Sequence, residues 1–119
     1  MRIPKEGTLL RIYIGESDRL DGKPLYEAIV LKARELHLAG ATVLRGVMGY
    51  GRNSRLHTTK VLRLSEDLPL IVEIVDAEEQ IGRILPWLEE VVRDGLVTVE
   101  RAQVVRYVGD GDGGKDAGE

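Results

Sequence analysis

The stretch LPLIVEIVDAEEQIGRILPWLEEVVRDG, residues 68–95, decides the fold because a buried strand and a long helix follow each other directly in it. Leu70 to Val75 is a nearly continuous apolar run, broken only by Glu73, as expected of a central strand. The apolar positions that recur after it at helical spacing are Ile81, Ile84, Leu85, Leu88, Val91 and Val92. The pattern predicts a strand followed by an amphipathic helix that packs on the sheet.

The ends of this helix carry their own signals. Asp76 is predicted as the N-cap, and Glu79 three residues later completes a capping-box pattern. Gly95 is predicted to end the helix. Pro86 lies inside the apolar stripe, and because proline removes a backbone hydrogen bond, it predicts a kink or a restart of the helix.

The chain before this stretch reads as a strand, a turn and a helix. Thr8 to Gly15 alternates between two faces, one of them fully apolar, which predicts the first strand. Asp21-Gly22 predicts a turn, and Pro24 suits the first turn of a helix. Gly40 is predicted to stop that helix just past its end. The apolar positions of this helix are Leu25, Ile29, Ala33 and Leu36.

The remaining strands complete the order βαββαβ. Ala41 to Met48 predicts the second strand, and Leu96 to Val99 with Gln103 to Tyr107 predicts the last one. The alternation shifts phase near Arg101, which predicts a bulge or a break there. Two right-handed crossovers then build an α+β, ferredoxin-like sandwich: a four-stranded antiparallel sheet with both helices on one face.

The other face of the sheet is predicted to be uncovered within one subunit. It carries Arg11 and Tyr13, on the side of the first strand that faces away from the helices. Because a sheet face with apolar residues is stable only when something packs on it, we expect self-association to cover it.

Composition limits the class of protein. The 119 residues contain no cysteine and no phenylalanine, and the net charge is −3. We expect one domain over residues 1–107 and a disordered, acidic, glycine-rich tail over residues 108–119. The acidic balance argues against nucleic-acid binding, and no stretch approaches the length of a membrane span. The first residues show no signal-peptide pattern, so a cytoplasmic protein is expected.

One segment departs from this acidic balance. Residues 45–65, RGVMGYGRNSRLHTTKVLRLS, contain five cationic side chains and no acid, so the rest of the chain carries −8 within the total of −3. Gly49-Tyr50-Gly51 lies near its start, where glycine lets the backbone bend tightly and approach a ligand. A basic, glycine-rich loop between two strands favours binding of an anion over catalysis.

The chain resembles the PII-like proteins of domain-of-unknown-function family 190. The residues that carry the resemblance are GKPLYEAIVLKARELHLAGATVLRGVMGYG at 22–51, then His57, LRLSEDLPLIVEIVD at 62–76 and GLVTVERAQVV at 95–105. The resemblance implies a homotrimer with an adenine nucleotide bound reversibly in clefts between subunits. It also implies a flexible loop after the second strand, the T-loop, which contacts a regulated partner such as a membrane transporter or ion channel. No tightly bound cofactor and no metal are implied.

The resemblance also indicates where a site would form. The candidate nucleotide-binding residues are Gly49, Tyr50, Gly51, Arg52, His57, Lys60, Arg93, Gly95 and Arg101. The candidate partner-docking residues in the loop 49–60 are Arg52, Asn53, Ser54, Arg55 and His57. The likeness to PII proteins proper is one of architecture, so AMP, ADP, ATP and cyclic nucleotides all stay open as the ligand.

Three other functions use the same topology. An acylphosphatase-like enzyme would need a phosphate loop after the first strand and an asparagine to position water, but the only asparagine, Asn53, lies elsewhere. An RNA-recognition module would need aromatic side chains on its central strands, and LPLIVEIV has none. A docking module that works without a nucleotide is the third. No nucleophile–base pair stands out, so we expect that the protein is not an enzyme.

Overall fold

The computed structural model describes residues 5–51, 57–58 and 67–109, with only the backbone of His57 and Thr58. The elements are β1 Glu6–Gly15, β2 Arg19–Leu20, β3 Lys23–Pro24, α1 Leu25–Glu35, β4 Thr42–Arg45, β5 Met48–Gly49, β6 His57–Thr58, β7 Pro69–Asp76, α2 Glu78–Val91 and β8 Leu96–Gln103. Strands β1, β4, β7 and β8 form the predicted sheet, while β2–β3 and β5–β6 are short hairpin-like ribbons.

The four-stranded sheet has the order β4-β7-β1-β8, and all of its pairs are antiparallel. The two strands with the most continuous apolar patterns, β1 and β7, are therefore central. The predicted ferredoxin-like α+β arrangement is confirmed.

The core lies between one face of the sheet and the two helices. Every second residue of the central strands is at most 5% exposed on this face: Leu10, Ile12, Ile14, Leu70, Val72 and Ile74. These side chains form one cluster with buried residues of the helices and of the segment after α1: Leu25, Ile29, Ala33, Leu38, Ile81, Ile84 and Leu88. The helical stripes predicted from spacing are the ones that the core uses, so both helices cover the same face.

The ends of α1 and α2 differ from the prediction. Helix α1 ends at Glu35, before Gly40, and His37 takes the left-handed conformation with φ +63°. The backbone N–H of His37 donates to the carbonyl of Arg34, and that of Leu38 donates to Ala33, which is a Schellman motif with histidine where glycine is common. Burial of Leu38 explains the early stop, because the turn brings this side chain into the core.

Asp76 does not cap α2 as predicted. It is the last residue of β7, and Ala77 occupies the N-cap without a side-chain hydrogen bond to the helix. The prediction failed because Asp76 is 1% exposed and its carboxylate is used by other backbone groups. Helix α2 continues through Pro86 to Val91, so no restart occurs, and Val92 rather than Gly95 is the C-cap.

The predicted bulge near Arg101 does not occur. Strand β8 pairs with β1 in unbroken register from Tyr13–Leu96 to Glu6–Gln103. The change of phase in the sequence has a simpler cause: β8 is an edge strand, where apolar side chains such as Val99 stay 52% exposed on the core side. The Asp21-Gly22 turn is confirmed, since both residues have positive φ and join β2 to β3.

Candidate functional site

The two ends of the sheet have different chemistry. At the loop end, β1 and β4 finish at Gly15 and Arg45, and β7 and β8 begin at Pro69 and Leu96. At the pocket end, β4 begins at Thr42, and β7 and β8 finish. Of the candidate residues that the structure describes, all but Arg101 lie at the loop end.

The loop begins as a narrow ribbon. Met48 and Gly49 of β5 pair with Thr58 and His57 of β6, so the backbone of His57 lies opposite that of Gly49. Tyr50, next along the chain, is 77% exposed and is free to meet another molecule. Of the other predicted loop residues, Arg52, Asn53, Ser54, Arg55 and Lys60 lie outside the described residues.

Pro69 explains two of the glycines at the root of the loop. A Cβ atom on Gly46 would lie 2.9 Å from the Pro69 side chain, and one on Gly49 would lie 3.1 Å from it. The backbone N–H of Gly46 also donates to the carbonyl of Pro69 at 2.7 Å. The chain that enters the loop at Gly46 to Gly49 therefore packs closely on Pro69, which follows the loop, and this close packing favours glycine at position 49 without a ligand.

The turn after β1 contacts the chain on both sides of the loop. The N–H of Glu16 donates to the carbonyl of Leu68 at 2.8 Å, and the N–H of Ser17 donates to the carboxylate of Asp67 at 2.8 Å. The Glu16 carboxylate in turn forms an ion pair with the guanidinium of Arg45. Asp67 and Leu68, which follow the loop, are thus fixed to the turn after β1, and so is Arg45, which precedes it.

Carboxylates crowd this end of the molecule. Burial raises the pKa of Asp18 above its ordinary value, and the nearby charges of Asp67 and Asp94 raise it further, against the lowering effect of a hydrogen bond from the Gly15 N–H. That bond is 3.0 Å long. An anionic ligand that approaches the loop end therefore meets acidic neighbours as well as the basic residues of the loop.

Arg93 and Gly95 lie at the same end but at the opposite edge. The α2–β8 turn that contains them borders β1, because a Cβ atom on Gly95 would lie 2.4 Å from the carbonyl oxygen of Tyr13. Strands β7 and β1 separate this turn from β4 and the loop root. Close packing thus accounts for Gly95, while the exposed Arg93 remains available for a ligand.

A cavity of about 560 Å³ opens at the pocket end, on the sheet face that the helices leave uncovered. One wall is the α1–β4 connection and the start of β4, the floor is the end of β7, and the other wall is the chain from β8 onward. Its polar lining comes from Thr42, Glu73, Gln103, Arg106 and Tyr107, and small apolar side chains, including Ala41, Val75 and Ala102, complete it. We call this cavity the end pocket.

Ala39 ties the two walls of the end pocket together. Its N–H donates to the carboxylate of Asp76 at 2.8 Å, and its carbonyl accepts a hydrogen bond from the Tyr107 hydroxyl at 3.0 Å. The chain beyond β8 is also held where the N–H of Val104 donates to the carbonyl of Lys5 at 2.6 Å. The pocket is therefore built by specific contacts and is more than a gap between loops.

Glu73, the single charge in the central strand, lies in the floor of this pocket. It accepts a hydrogen bond from Arg11 Nε at 3.0 Å, and Arg11 Nη1 donates to Glu100 at 3.1 Å. The hydrogen bond to Glu73, together with both carboxylate charges, raises the pKa of Arg11. Glu73, which interrupts the apolar run of β7, therefore has both a charged partner and partial exposure within one chain.

The structure separates the predicted residues into two groups. Gly49, Tyr50 and Gly51, together with Arg93 and Gly95, lie at the loop end. Arg101 pairs with Thr8 toward the pocket end of β8. Sequence reasoning missed the end pocket, because Thr42 and Glu73 are far in the chain from Gln103 and Tyr107. The single charge in the apolar run of β7, Glu73, is the signal that could have indicated it.

Comparison with known proteins shows the family to which this sequence is similar. Residues 7–104 match the family model DUF190, described as Uncharacterized ACR, COG1993. A UPF0166 protein of Aquifex aeolicus is 40% identical over 107 residues, which cover 88% of this chain and 98% of the relative. A UPF0166 protein of Methanocaldococcus jannaschii is 37% identical, with 82% of this chain and 91% of the relative covered.

Solved structures share the fold. CPII of Thiomonas intermedia K12, a nitrogen regulatory PII-like protein bound to ADP, AMP and bicarbonate, gives a TM-score of 0.60 at 18% identity over 85% of this chain and 90% of CPII. A putative PII-like signaling protein of Thermus thermophilus gives 0.58 at 21% identity over 84% of this chain and 90% of that one. The fold is thus PII-like. In the described residues, neither helix is long and apolar enough to cross a membrane.

Proposed function

The chain belongs to the DUF190 family, and from this membership we propose that it is a homotrimeric PII-like regulator that binds an adenine nucleotide reversibly between its subunits. The loop over residues 49–60 would then change its fit to a regulated partner when the nucleotide binds. The observation that carries the proposal is the position of the loop root and the end pocket at opposite ends of one sheet, and in our proposal each of them is one half of a site.

Opposite ends meet only when copies join head to tail. In a cyclic assembly each interface is heterologous, so one patch of a subunit contacts a different patch of the next. A ring of three would place the loop end of one chain beside the end pocket of its neighbour. Each cleft would then contain Gly49, Tyr50 and Gly51 from one subunit and the pocket residues, with Arg101 and Arg106 close by, from the next.

The end pocket suits the nucleoside part of such a ligand. Its volume of about 560 Å³ is in the range of roughly 300–1,000 Å³ of small-molecule sites. Its apolar walls match a base, and the side chains of Thr42 and Glu73 are suited to ribose hydroxyl groups. The phosphates would extend toward the loop end of the neighbour, where Arg52 and Lys60 of the loop and Arg93 of the α2–β8 turn are our candidates for charge neutralisation.

The uncovered sheet face supports self-association. It carries Leu44, 45% exposed, and Leu96, 56% exposed, together with half-buried residues of β1 and β7 such as Ile71. Apolar surface of this kind is stabilised when a second copy covers it. Closing a ring through this face would bring the two half-sites together in the same step.

The proposal includes no chemical step. An acylphosphatase-like enzyme would use the segment between the first strand and the first helix as its phosphate loop. Here that segment forms the β2–β3 hairpin around Asp21-Gly22 instead.

Regulation would come from a population shift of the loop, which requires that the nucleotide bind one loop state more tightly than the other. We place this activity in the cytoplasm, with a membrane transporter or channel as the partner.

Isothermal titration with AMP, ADP, ATP, cyclic AMP and cyclic di-AMP tests the ligand, and two variants test the shared site. Tyr50→Ala alters the loop half, and Thr42→Trp fills the pocket half at an exposed position. Each variant alone should bind more weakly than the wild type. Trimers reassembled from an equal mixture should regain full affinity at roughly a quarter of their clefts, because some clefts then combine two intact halves.

The outcomes separate the alternatives. Binding with recovery in mixed trimers supports the shared site. Binding without recovery places the site inside one subunit. If no nucleotide binds, the proposal fails, and the basic loop is a docking element that works without a nucleotide.

A further inference from the structure

We propose that Arg45 binds a phosphoryl group at the loop end, and that Glu16 occupies the Arg45 guanidinium until the ligand displaces it. This inference rests on the proposed function, since it concerns how the anionic part of the ligand is received. Arg45 belongs to the basic segment 45–65 but is not among the candidate nucleotide-binding residues predicted from the sequence. It is also the only charged residue between positions 40 and 51, at the root of the loop.

Arg45 is placed so that it can change partners. It is the last residue of β4, an edge strand, and its side chain is 60% exposed. The Glu16 carboxylate that it pairs with is 28% exposed. An ion pair this open to water contributes little to stability, because solvent screens the attraction and ordering the side chain costs entropy. A stronger anion can therefore take the guanidinium without a large loss of folding free energy.

Glu16 cannot follow Arg45 when it leaves. The backbone of Glu16 is fixed by its hydrogen bond to Leu68, and the next residue, Ser17, is fixed by Asp67. The long side chain of Arg45 is thus the mobile member of the pair. Release of Arg45 leaves the backbone hydrogen bonds from Glu16 to Leu68 and from Gly46 to Pro69 in place, so the exchange needs only a movement of the Arg45 side chain.

A guanidinium is suited to this exchange. Its planar fork of N–H donors binds a carboxylate or a phosphoryl group in the same geometry, and a phosphoryl group carries more charge. The acidic residues Asp18, Asp67 and Asp94 around the loop end disfavour any anion there. A ligand phosphate at the loop end therefore needs a cation close to it. The Arg45 guanidinium is that cation, and its ion pair with Glu16 determines how available it is.

The exchange predicts opposite effects for the two members of the pair. Glu16→Gln removes the competing charge and leaves Arg45 in place, so affinity for a phosphoryl ligand should rise roughly two- to fivefold, the scale of an exposed ion pair. Arg45→Gln should lower the same affinity roughly tenfold, the scale of a lost charged hydrogen bond. Adenosine, which has no phosphate, should bind wild type and both variants equally.

The test is isothermal titration of the full chain with ADP, adenosine and inorganic pyrophosphate. Glu35→Gln is the matched control, because it removes the same charge from an exposed pair with Lys32 on α1, remote from the loop end. It should leave all three affinities unchanged. Thermal unfolding without ligand confirms that each variant is folded.

The results distinguish this inference from the function on which it rests. If pyrophosphate and ADP follow the predicted order of Glu16→Gln above wild type above Arg45→Gln, both stand. If ADP binds but the variants match wild type, the inference is overturned and the function stands. If only pyrophosphate binds, in the predicted order, the inference stands and the nucleotide is wrong. If Glu35→Gln acts like Glu16→Gln, or if no probe binds, the inference is overturned.

Discussion

The carboxylate of Asp76, the last residue of β7, accepts a hydrogen bond from the backbone N–H of Ala39 at 2.8 Å, although Ala39 lies 37 positions earlier, in the α1–β4 connection. The other carboxylate oxygen accepts the N–H of Ala77 at 2.7 Å. Asp76 is 1% exposed. One buried side chain thus fixes both the start of α2 and the α1–β4 connection that forms a wall of the end pocket.

Replacing Asp76 with alanine should destabilise the protein strongly. The variant leaves the half-buried N–H groups of Ala39 and Ala77 without their acceptor, and an N–H group that has no acceptor and is shielded from water costs about 1–3 kcal/mol. We expect the free energy of unfolding to fall by about 2–4 kcal/mol, measured from the midpoint of urea unfolding. Glu89→Ala, at an exposed position of α2, is the control and should change it by less than about 0.5 kcal/mol. Equal effects of the two variants would contradict this role of Asp76.

The left-handed conformation of His37 offers a stabilising change. A residue that has a Cβ atom loses about 1 kcal/mol when its backbone adopts φ near +60°, whereas glycine does not. His37→Gly should therefore raise the free energy of unfolding by about 0.5–1 kcal/mol, partly offset by the greater freedom of glycine in the unfolded chain. His37→Ala removes the imidazole without relieving the backbone, so it should give no gain. A gain from alanine as large as that from glycine would mean that the side chain, rather than the backbone, causes the strain.

The sequence predicted the parts of the fold that depend on local periodicity. The apolar runs of β1 and β7 and the helical stripe of α2 have periods that a short window reveals, and the order βαββαβ then leaves few topologies. The ends of the helices were harder to predict, because they depend on distant residues. Leu38 reaches the core only when the sheet is in place, and the Asp76 carboxylate is shared between Ala39, which is distant in the chain, and Ala77 at the start of α2.

The site was predicted only in part for the same reason. A basic segment with Gly49-Tyr50-Gly51 is visible in the chain, whereas the end pocket brings Thr42, Glu73 and Tyr107 together through pairing of distant strands. The proposed site also needs a second copy. Local sequence could reveal one half-site and could not show which surface of a neighbour completes it.

Asp18 should make stability depend on pH. Its pKa in the folded state is raised above the unfolded value near 3.8, so above that pH the folded protein holds a carboxylate that burial and its neighbours disfavour. This penalty is present at neutral pH and disappears as the pH falls through the raised pKa of the folded state toward the unfolded value. Asp18→Asn keeps an acceptor for the Gly15 N–H and lacks the charge.

The variant should therefore be more stable than wild type at pH 7, by up to about 1 kcal/mol because solvent screens partly exposed charges. The advantage should shrink as the pH is lowered toward 4. Urea unfolding at several pH values measures the difference, and Glu90→Gln, at an exposed position of α2, serves as the control. A difference that grows on acidification would show that the carboxylate stabilises the turn.

A charge in the middle of the uncovered sheet face should prevent assembly. Ile71 is opposite Tyr13 on β1 and Leu44 on β4, so it lies near the centre of that face. Burying an unpaired arginine at a subunit interface costs roughly 2–5 kcal/mol. Ile71→Arg should therefore elute with the mass of one 13.2 kDa chain, while wild type elutes with about three times that mass in light-scattering chromatography.

The control places the same substitution on the helix layer. Leu31 of α1 is 56% exposed on the side away from the sheet, so Leu31→Arg should stay trimeric. Circular dichroism should show the same helix content in both variants, because the core residues on the other face of β7 are untouched. If Ile71→Arg remains trimeric, or if wild type is a single chain, the uncovered face is not the surface that joins the copies. The loop end and the end pocket would then have to act separately.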